Sequence, residues 1–152
     1  MFCCVYHIFN KHVYEPYVDN DIYNSDKKVP FFTFNGYSTY GKVVHIYDGD
    51  TIHVVVKMID SNNIVKLRVR LNGIDTPEIR IATQKEDAIK AKEKLESLLN
   101  ETENIVYIKF NDFDKYGRVL AYLYSTETSQ KSINQLLIEG GYAKEYHGGT
   151  KQ

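Results

Sequence analysis

Four short segments of the sequence carry the acidic and basic side chains best suited to chemistry. They are Asp48-Gly49-Asp50-Thr51, Arg70, Asp75-Thr76-Pro77-Glu78 and Asp114-Lys115-Tyr116-Gly117-Arg118. Each segment alone has a plain structural explanation, because Asp-Gly is a common hairpin turn and proline is common at the first position of a helix. As a set, they combine carboxylates with two arginines, which are the groups that bind a divalent cation and an anionic phosphate respectively.

Asp50 and Asp75 are the two carboxylates that strand pairing would bring together. Asp50 opens one predicted strand and Asp75 ends the next, so a hairpin would place them within a few ångströms of each other. Two carboxylates at that distance repel unless a proton or a cation lies between them, and a hard divalent cation meets this need. Arg70 precedes Asp75 by five residues, so strict alternation puts the two side chains on opposite faces. A break at Asn72-Gly73 would reset this phase, and periodicity alone leaves the point open.

The strands that must position these residues are read from β-branched and alternating runs. Two β-branched runs flank the Asp-Gly at residues 48–49, and residues 65–71 alternate apolar with basic side chains. These patterns predict three consecutive antiparallel strands. Residues 104–110 and 117–124 predict two more strands, joined by a polar turn over residues 111–116.

Two helices are predicted from apolar residues at helical spacing. The first lies within residues 83–99, with Thr83 and Glu86 as a capping box, and the second covers residues 132–139 and ends at Gly140-Gly141. The order of elements predicts an α+β, mainly β fold, namely a five-stranded OB-fold barrel with two or three helices.

Residues 1–37 show no sustained period and are predicted to be an irregular N-terminal extension, which leaves residues 38–152 as the single domain. Within the extension, Cys3, Cys4, His7 and His12 do not follow a usual zinc-ligand spacing. The first residues include no basic segment and no long apolar run. We therefore expect neither a secretory signal nor a membrane span, and an intracellular location.

The overall charge limits the classes of function. The chain has 19 basic and 20 acidic residues, with a formal net charge of -1. A passive nucleic-acid-binding module normally relies on a basic face, so this balance counts against that class. Attraction of a polyanion would have to come from local arginines and a bound cation.

Taken in order, the motifs DGDT, RLNGIDTPE and DKYGR and the tail NQLLIEGGYAKEY resemble the thermonuclease (staphylococcal nuclease) family of OB-fold phosphodiesterases. The resemblance covers approximately residues 40–146 and is specific as a set. It implies a nuclease that hydrolyses phosphodiester bonds of DNA and/or RNA, prefers single-stranded or flexible regions and leaves 3′-phosphate ends. It also leads us to expect a nucleic acid as partner, no membrane association and a monomer.

The resemblance implies a cation site and a group that handles water. Asp50 and Asp75 match carboxylates that bind a divalent cation, which in this family is calcium, and Thr76 matches a residue that contributes its backbone carbonyl. Asp48 matches an acid just outside the ligands of the metal. Glu78 matches the carboxylate that activates or orients the attacking water.

The resemblance further implies how the substrate is bound. Arg70 and Arg118 match the two arginines that grip the scissile phosphate, where guanidinium forks stabilise charge on equatorial oxygens. Lys115 and Tyr116 match residues that contact a neighbouring phosphate of the bound strand. Tyr146 lies where the family often places an aromatic side chain near the base.

Two other classes stay open at this level. One is a non-catalytic nucleic-acid-binding OB-fold module, and the other is an OB-fold protein-interaction module in which the motifs are only turns. Neither class needs three acids and two arginines together, so the complete set favours the nuclease. His45 and His53, which flank the DGDT motif, are interpreted as ordinary strand residues and not as catalytic bases.

Overall fold

The computed structural model describes residues 20–58 and 63–146. The chain divides into two compact units, Met1–Phe32 and Thr33–Gln152. The described part of the first unit contains one short helix, α1 (Asn20–Tyr23). The four cysteines and histidines considered for zinc lie outside the described residues, as does most of the predicted turn at residues 60–63.

The second unit is a closed barrel with two helices. Its elements are β1 (Ser38–Ile46), β2 (Thr51–Lys57), β3 (Ile64–Leu71), β4 (Ile74–Asp75), α2 (Lys85–Asn100), β5 (Ile105–Phe113), β6 (Val119–Tyr124), α3 (Ile133–Glu139) and β7 (Lys144–Glu145). The barrel order is β1-β2-β3-β6-β5, and β4 pairs with β7 in a separate two-stranded ribbon. The predicted mainly β, five-stranded barrel is confirmed.

Pairing within the barrel follows the predicted hairpins and adds two long-range strand pairs, β1–β5 and β3–β6. β1, β2 and β3 are consecutive antiparallel neighbours, and β5 pairs antiparallel with both β6 and β1. β3 and β6 pair in parallel, through the register Arg70↔Leu120. This parallel pair closes the barrel and sets the end of β3 beside the start of β6.

Alternation along the strands separates an apolar interior from a polar exterior. The fully buried side chains include Ile52, Val54, Val69, Leu71, Ile108 and Leu123. Leu95 and Leu99 of α2 are also fully buried and belong to the same core cluster. Burying each such side chain stabilises the fold by about 1.5–3 kcal/mol. The core therefore holds the strand ends at which the polar segments lie.

The two helices begin and end for different local reasons. α3 starts as predicted, because the Ser132 hydroxyl accepts a hydrogen bond from the N–H of Gln135, and it ends at Gly140. The predicted capping box of the first long helix is wrong, since Thr83 lies in a 3-10 turn and Gln84 precedes α2 without a capping side chain. Among the described residues, no helix has the length and apolar character needed to cross a membrane.

Candidate active site

A cleft of about 1480 Å³ opens where the β1–β2, β3–β4 and β5–β6 connections meet. The strand register explains this meeting point. Thr51 pairs with Arg70 and Arg70 pairs with Leu120, so the start of β2, the end of β3 and the start of β6 lie side by side. Three of the four polar segments singled out in the sequence adjoin these strand ends, and the fourth, at residues 75–78, begins at the end of β4.

Eight of the nine residues predicted for the site line this cleft. They are Asp50, Arg70, Thr76, Glu78, Lys115, Tyr116, Arg118 and Tyr146. The ninth, Asp75, is not part of the cleft wall, and its carboxylate contacts Arg70 instead. The fold thus gathers the predicted set, while their roles in binding or catalysis stay predictions.

Arg70 joins the two aspartates. Its Nη1 lies 2.7 Å from Oδ2 of Asp50, and its Nη2 lies 2.9 Å from Oδ1 of Asp75. Nη2 also donates to the carbonyl of Ile74 at 3.1 Å. Burial alone would lower the pKa of Arg70, but the two carboxylates outweigh it and raise that pKa. The guanidinium therefore stays charged.

The Asn72-Gly73 turn brings Arg70 and Asp75 to one side of the chain. Gly73 has a φ of +78°, a left-handed conformation that other residues rarely adopt. The turn replaces the regular alternation between β3 and β4, so side chains five residues apart meet. The phase reset left open by the sequence is the observed arrangement.

Asp50 is a buried acid with several donors around it. It is 3% exposed, and it accepts hydrogen bonds from the Thr51 hydroxyl at 2.9 Å and from the Thr76 N–H at 3.4 Å. Burial raises the pKa of Asp50 more than the guanidinium of Arg70 lowers it, and the carboxylate of Asp48 adds to the rise. Asp50 would therefore be stabilised as an anion by further positive charge.

Arg118 is held by the loop that carries it. Its Nε donates to Oδ2 of Asp114 at 2.7 Å, and its Nη1 donates to the hydroxyl of Thr51 at 3.2 Å. Oδ1 of Asp114 accepts the backbone N–H groups of Tyr116 and Arg118, both at 2.9 Å. Because Thr51 donates to Asp50, one chain of polar contacts links Arg118 to Arg70. The sequence motifs contained Asp114 and Thr51, but residue types alone did not assign them these positions.

Aromatic side chains border the arginines. The Arg70 guanidinium lies 5.8 Å from the ring centre of Tyr146, and that of Arg118 lies 5.6 Å from the ring centre of Tyr116. Lys115 also lies over the Tyr116 ring, at 5.1 Å. Tyr116 is 68% exposed, so its ring is accessible to a stacked base or sugar.

Glu78 lies at the exposed mouth of the cleft. Its backbone N–H donates to the Gln84 side chain at 3.1 Å, which ties this segment to the 3-10 turn before α2. The sequence analysis did not identify two arginines that line the same cleft, Arg68 and Arg80. Arg80 donates to the Tyr47 hydroxyl at 3.4 Å. The available signal for Arg68 was its two-residue spacing from Arg70 on one strand.

The cluster offers oxygen ligands of the kind that a hard divalent cation takes, and in this structure Arg70 pairs with both carboxylates. In the part of the chain that the structure describes, no three His, Cys, Asp or Glu side chains form a metal-binding group. The oxygen ligands on offer are the carboxylates of Asp50 and Asp75 and the backbone carbonyl of Thr76. Calcium prefers oxygen ligands of this kind. Water and substrate oxygens would complete such a site.

Comparison with known proteins identifies a family. A family model described as "Staphylococcal nuclease homologue" matches residues 68–152, more than half of the chain, although the match begins after Asp50. A micrococcal nuclease of Shigella flexneri is 34% identical over 112 residues, which cover 70% of this chain and 59% of that protein. An uncharacterized endonuclease of Escherichia coli is 33% identical over 109 residues, covering 70% and 61%.

A third relative comes from an archaeon. An uncharacterized protein of Methanocaldococcus jannaschii is 35% identical over 128 residues, which cover 70% of this chain and 59% of that protein. The chain thus spans about 60% of the length of these relatives. The barrel, the cleft with its paired arginines and the family match lead to one conclusion: this chain belongs to the family of staphylococcal nuclease homologues.

Proposed function

We propose that this protein is a metal-dependent nuclease that hydrolyses phosphodiester bonds of DNA and/or RNA. The observation that supports this most is the continuous set of contacts that joins two arginines and Asp50 in the cleft wall, and Asp75 through Arg70. Charge of both signs at the same place suits a reaction in which a cation, a water molecule and an anionic phosphate must meet. A structural turn would need only one of these motifs.

The arginines would bind and stabilise the phosphate. Attack on a phosphodiester adds negative charge to its equatorial oxygens, and planar guanidinium groups donate to such oxygens in pairs. Arg118 is oriented for this by Asp114, which engages its Nε. Arg70 lies between Asp50 and Asp75, so part of its donor capacity would transfer from these carboxylates to the phosphate when substrate binds.

The acids would divide into a cation site and a water site. Asp50, Asp75 and the carbonyl of Thr76 would hold a divalent cation, for which we propose calcium. When bound, this cation would supply Lewis-acid polarisation of the phosphate and would offset repulsion between substrate and carboxylates. Glu78, at the mouth of the cleft, would accept a proton from the attacking water or orient it.

The substrate would be a flexible strand. The exposed ring of Tyr116 offers sequence-tolerant stacking, which unstacked bases of a single strand can use more readily than paired bases. We further propose, from the family resemblance, that the 5′-oxygen leaves and that products end in 3′-phosphates. We propose a monomer as the active form, because all of these groups lie on one chain.

Cleavage of denatured DNA with calcium, with and without a chelator, tests the proposal. We expect strand cleavage that the chelator abolishes. Arg118→Ala and Glu78→Gln should each lower kcat by roughly 100-fold or more, because each removes a group that acts in the transition state. Far-UV circular dichroism should show both variants folded.

The matched control is Lys131→Gln, which removes a charge from an exposed ion pair between Lys131, just before α3, and Glu139, the last residue of α3. It should retain wild-type turnover. Chelator-insensitive or absent cleavage by the wild type would overturn the proposal. Strand binding without cleavage would instead indicate a nucleic-acid-binding module, and absence of both would indicate a protein-interaction module.

A further inference from the structure

The outer face of β1–β3 carries a group of cationic and imidazole side chains beside the cleft. We call His45, His53, Lys66 and Arg68 the basic strip. Cross-strand pairing aligns His45 with His53 and His53 with Arg68. Lys66 and Arg68 are exposed, and they alternate with the inward-facing residues of β3. The strip therefore runs along β3 away from Arg70, the penultimate residue of this strand.

Acidic residues are absent from these three strands. β1, β2 and β3 contain five lysines and arginines and none of the 20 acidic residues of the chain. The near-neutral net charge thus conceals an uneven distribution, with positive charge concentrated on one face of the barrel. A local field of this kind attracts anions even when the whole molecule is nearly neutral.

The side chains of the basic strip lie close enough to influence one another. The rings of His45 and His53 are 5.1 Å apart. Partial burial lowers the pKa of His53, and the positive charges of His45, Lys66 and Arg68 lower it further. The charged groups that act on this imidazole from both neighbouring strands are therefore cations.

Continuity with the cleft indicates which anion would bind here. Arg68 lines the cleft as well as the strip, so no gap separates the two surfaces. Residues that face one side of a strand repeat about every 7 Å, which spaces Arg70, Arg68 and Lys66 as a row. A row of cations at this interval suits the successive phosphates of an extended strand, and it offers no pattern that would read bases.

We propose that the basic strip binds phosphates of the nucleic-acid strand that extends beyond the cleft, so that a bound strand passes from Arg70 over Arg68 and Lys66. The inference rests on the proposed function, because it extends the path of the same substrate. The basic strip would then contribute to binding independently of base sequence, and the protein would prefer longer strands as substrates.

Binding of oligothymidylate in chelator tests this independently of cleavage. The variant is Lys66→Gln/Arg68→Gln, and the control Lys90→Gln/Lys131→Gln removes two charges from exposed ion pairs near α2 and α3. Each phosphate contact to a single strand contributes about 0.7 to the slope of log Kd against log salt. We expect the strip variant to reduce that slope by about 1.4 and to weaken binding of a long strand roughly tenfold.

Kinetics provide the second measurement. The ratio of kcat/KM for a long strand to that for a dinucleotide should fall about tenfold in the strip variant and stay unchanged in the control. A wild-type slope and a wild-type ratio in the strip variant would overturn this inference while leaving the nuclease intact. Equal losses in variant and control would also overturn it, because the effect would then follow net charge. Normal strand binding without cleavage would count against the proposed function alone.

Discussion

Burial determines the behaviour of Asp50. Its folded-state pKa is raised above the ordinary value, so the ionised form is less stable in the folded protein than in the unfolded chain. Stability contributed by this group therefore decreases as pH rises through the folded-state pKa. One guanidinium does not fully compensate the buried charge, and a carboxylate in that condition gains by binding a second cation. A bound cation would lower the free-energy cost of keeping Asp50 ionised in the folded protein, which is consistent with a cation-binding role for this residue.

Asp114 is the residue we expect to control Arg118. Replacement of Asp114 by Asn would remove the charged acceptor of Arg118 Nε while keeping the size of the side chain. We expect kcat on denatured DNA to fall roughly tenfold, less than in Arg118→Ala, because the guanidinium is misplaced but not lost. Addition of guanidinium ion should partly restore Arg118→Ala and should not restore Asp114→Asn.

The pH dependence of stability gives an independent measurement on the same variant. Burial alone would raise the pKa of Asp114, but hydrogen bonds from Arg118 and Tyr116 lower it overall. The stabilisation contributed by Asp114 is thus fully present above the pKa that this group has in the unfolded chain. It is lost as pH falls through the pKa that the group has in the folded protein. The urea unfolding free energy of Asp114→Asn should be about 1 kcal/mol below wild type at neutral pH and should approach it in acid. A constant difference at every pH would contradict this assignment.

The motifs, through the family resemblance that they carry, predicted the members of the candidate site better than their contacts. Eight predicted residues line the cleft because the fold brings every strand end with a polar segment to one place. The contact of Asp75 with Arg70 and the link through Thr51 depend on side-chain rotamers, on which spacing gives no information. Arg68 was missed because, in the sequence, it looks like any other solvated strand residue.

At the scale of elements, the turn at residues 48–50 must pack closely on the segment after β4. A Cβ added at Gly49 would lie 2.9 Å from Cγ2 of Thr76 and 3.0 Å from Cβ of Ala91, the latter on α2. Gly49 is therefore required for close approach between the turn, the Thr76 side chain and the helix. The Asp-Gly dipeptide serves this contact as well as the hairpin.

Gly49→Ala is expected to disturb stability and activity together. Overpacking at such a contact costs about 1–3 kcal/mol, which urea unfolding would measure. Displacement of the turn relative to Thr76 should also lower kcat on denatured DNA roughly tenfold or more. Gly36→Ala separates backbone strain from steric contact, because Gly36 has a φ of +82° and a Cβ there meets no atom within 4 Å. It should lower stability and leave kcat unchanged. Equal activity and stability of Gly49→Ala and wild type would show that the close contact is dispensable.

Element types were predictable, whereas some boundaries were not. β5 extends to Phe113, beyond the predicted residue 110, because an irregularity in its pairing with β6 lets the strand continue toward the loop. The start of α2 was misplaced because the 3-10 turn Ala82–Gln84 takes up the residues that matched a capping box. Both differences arise from interactions between segments and not from local propensity.

At the scale of the whole molecule, the barrel was predicted from alternation and element order, but the parallel strand pair that helps to close it was not. The parallel β3–β6 pair joins strands separated by α2 and β5, and no local pattern specifies it. Segregation of charge onto the β1–β3 face was equally hidden by a net charge of -1. The distribution of surface charge depends on which faces of the strands lie on the outside of the closed barrel.

The start of the folded domain provides the last prediction. The buried apolar residues among those described begin at Phe34, whose ring lies 5.4 Å from that of Phe110, and Tyr37 stacks on the same ring at 5.8 Å. A chain that starts at Thr33 should therefore melt within a few degrees of the full chain and keep its cleavage activity. A chain that starts at Ser38, the predicted boundary, loses both rings.

Loss of a buried phenylalanine costs about 3–5 kcal/mol, which at this chain length corresponds to a fall in Tm on the order of 10 °C or more. Thermal melts of the two truncated chains, measured beside Phe34→Ala in the full chain, separate the effect of the ring from that of shortening. If the chain from Ser38 melts with the chain from Thr33, the residues around Phe34 are not part of the cooperative core. If both melt far below the full chain, residues before Thr33 contribute to its stability, and the compact unit does not fold alone.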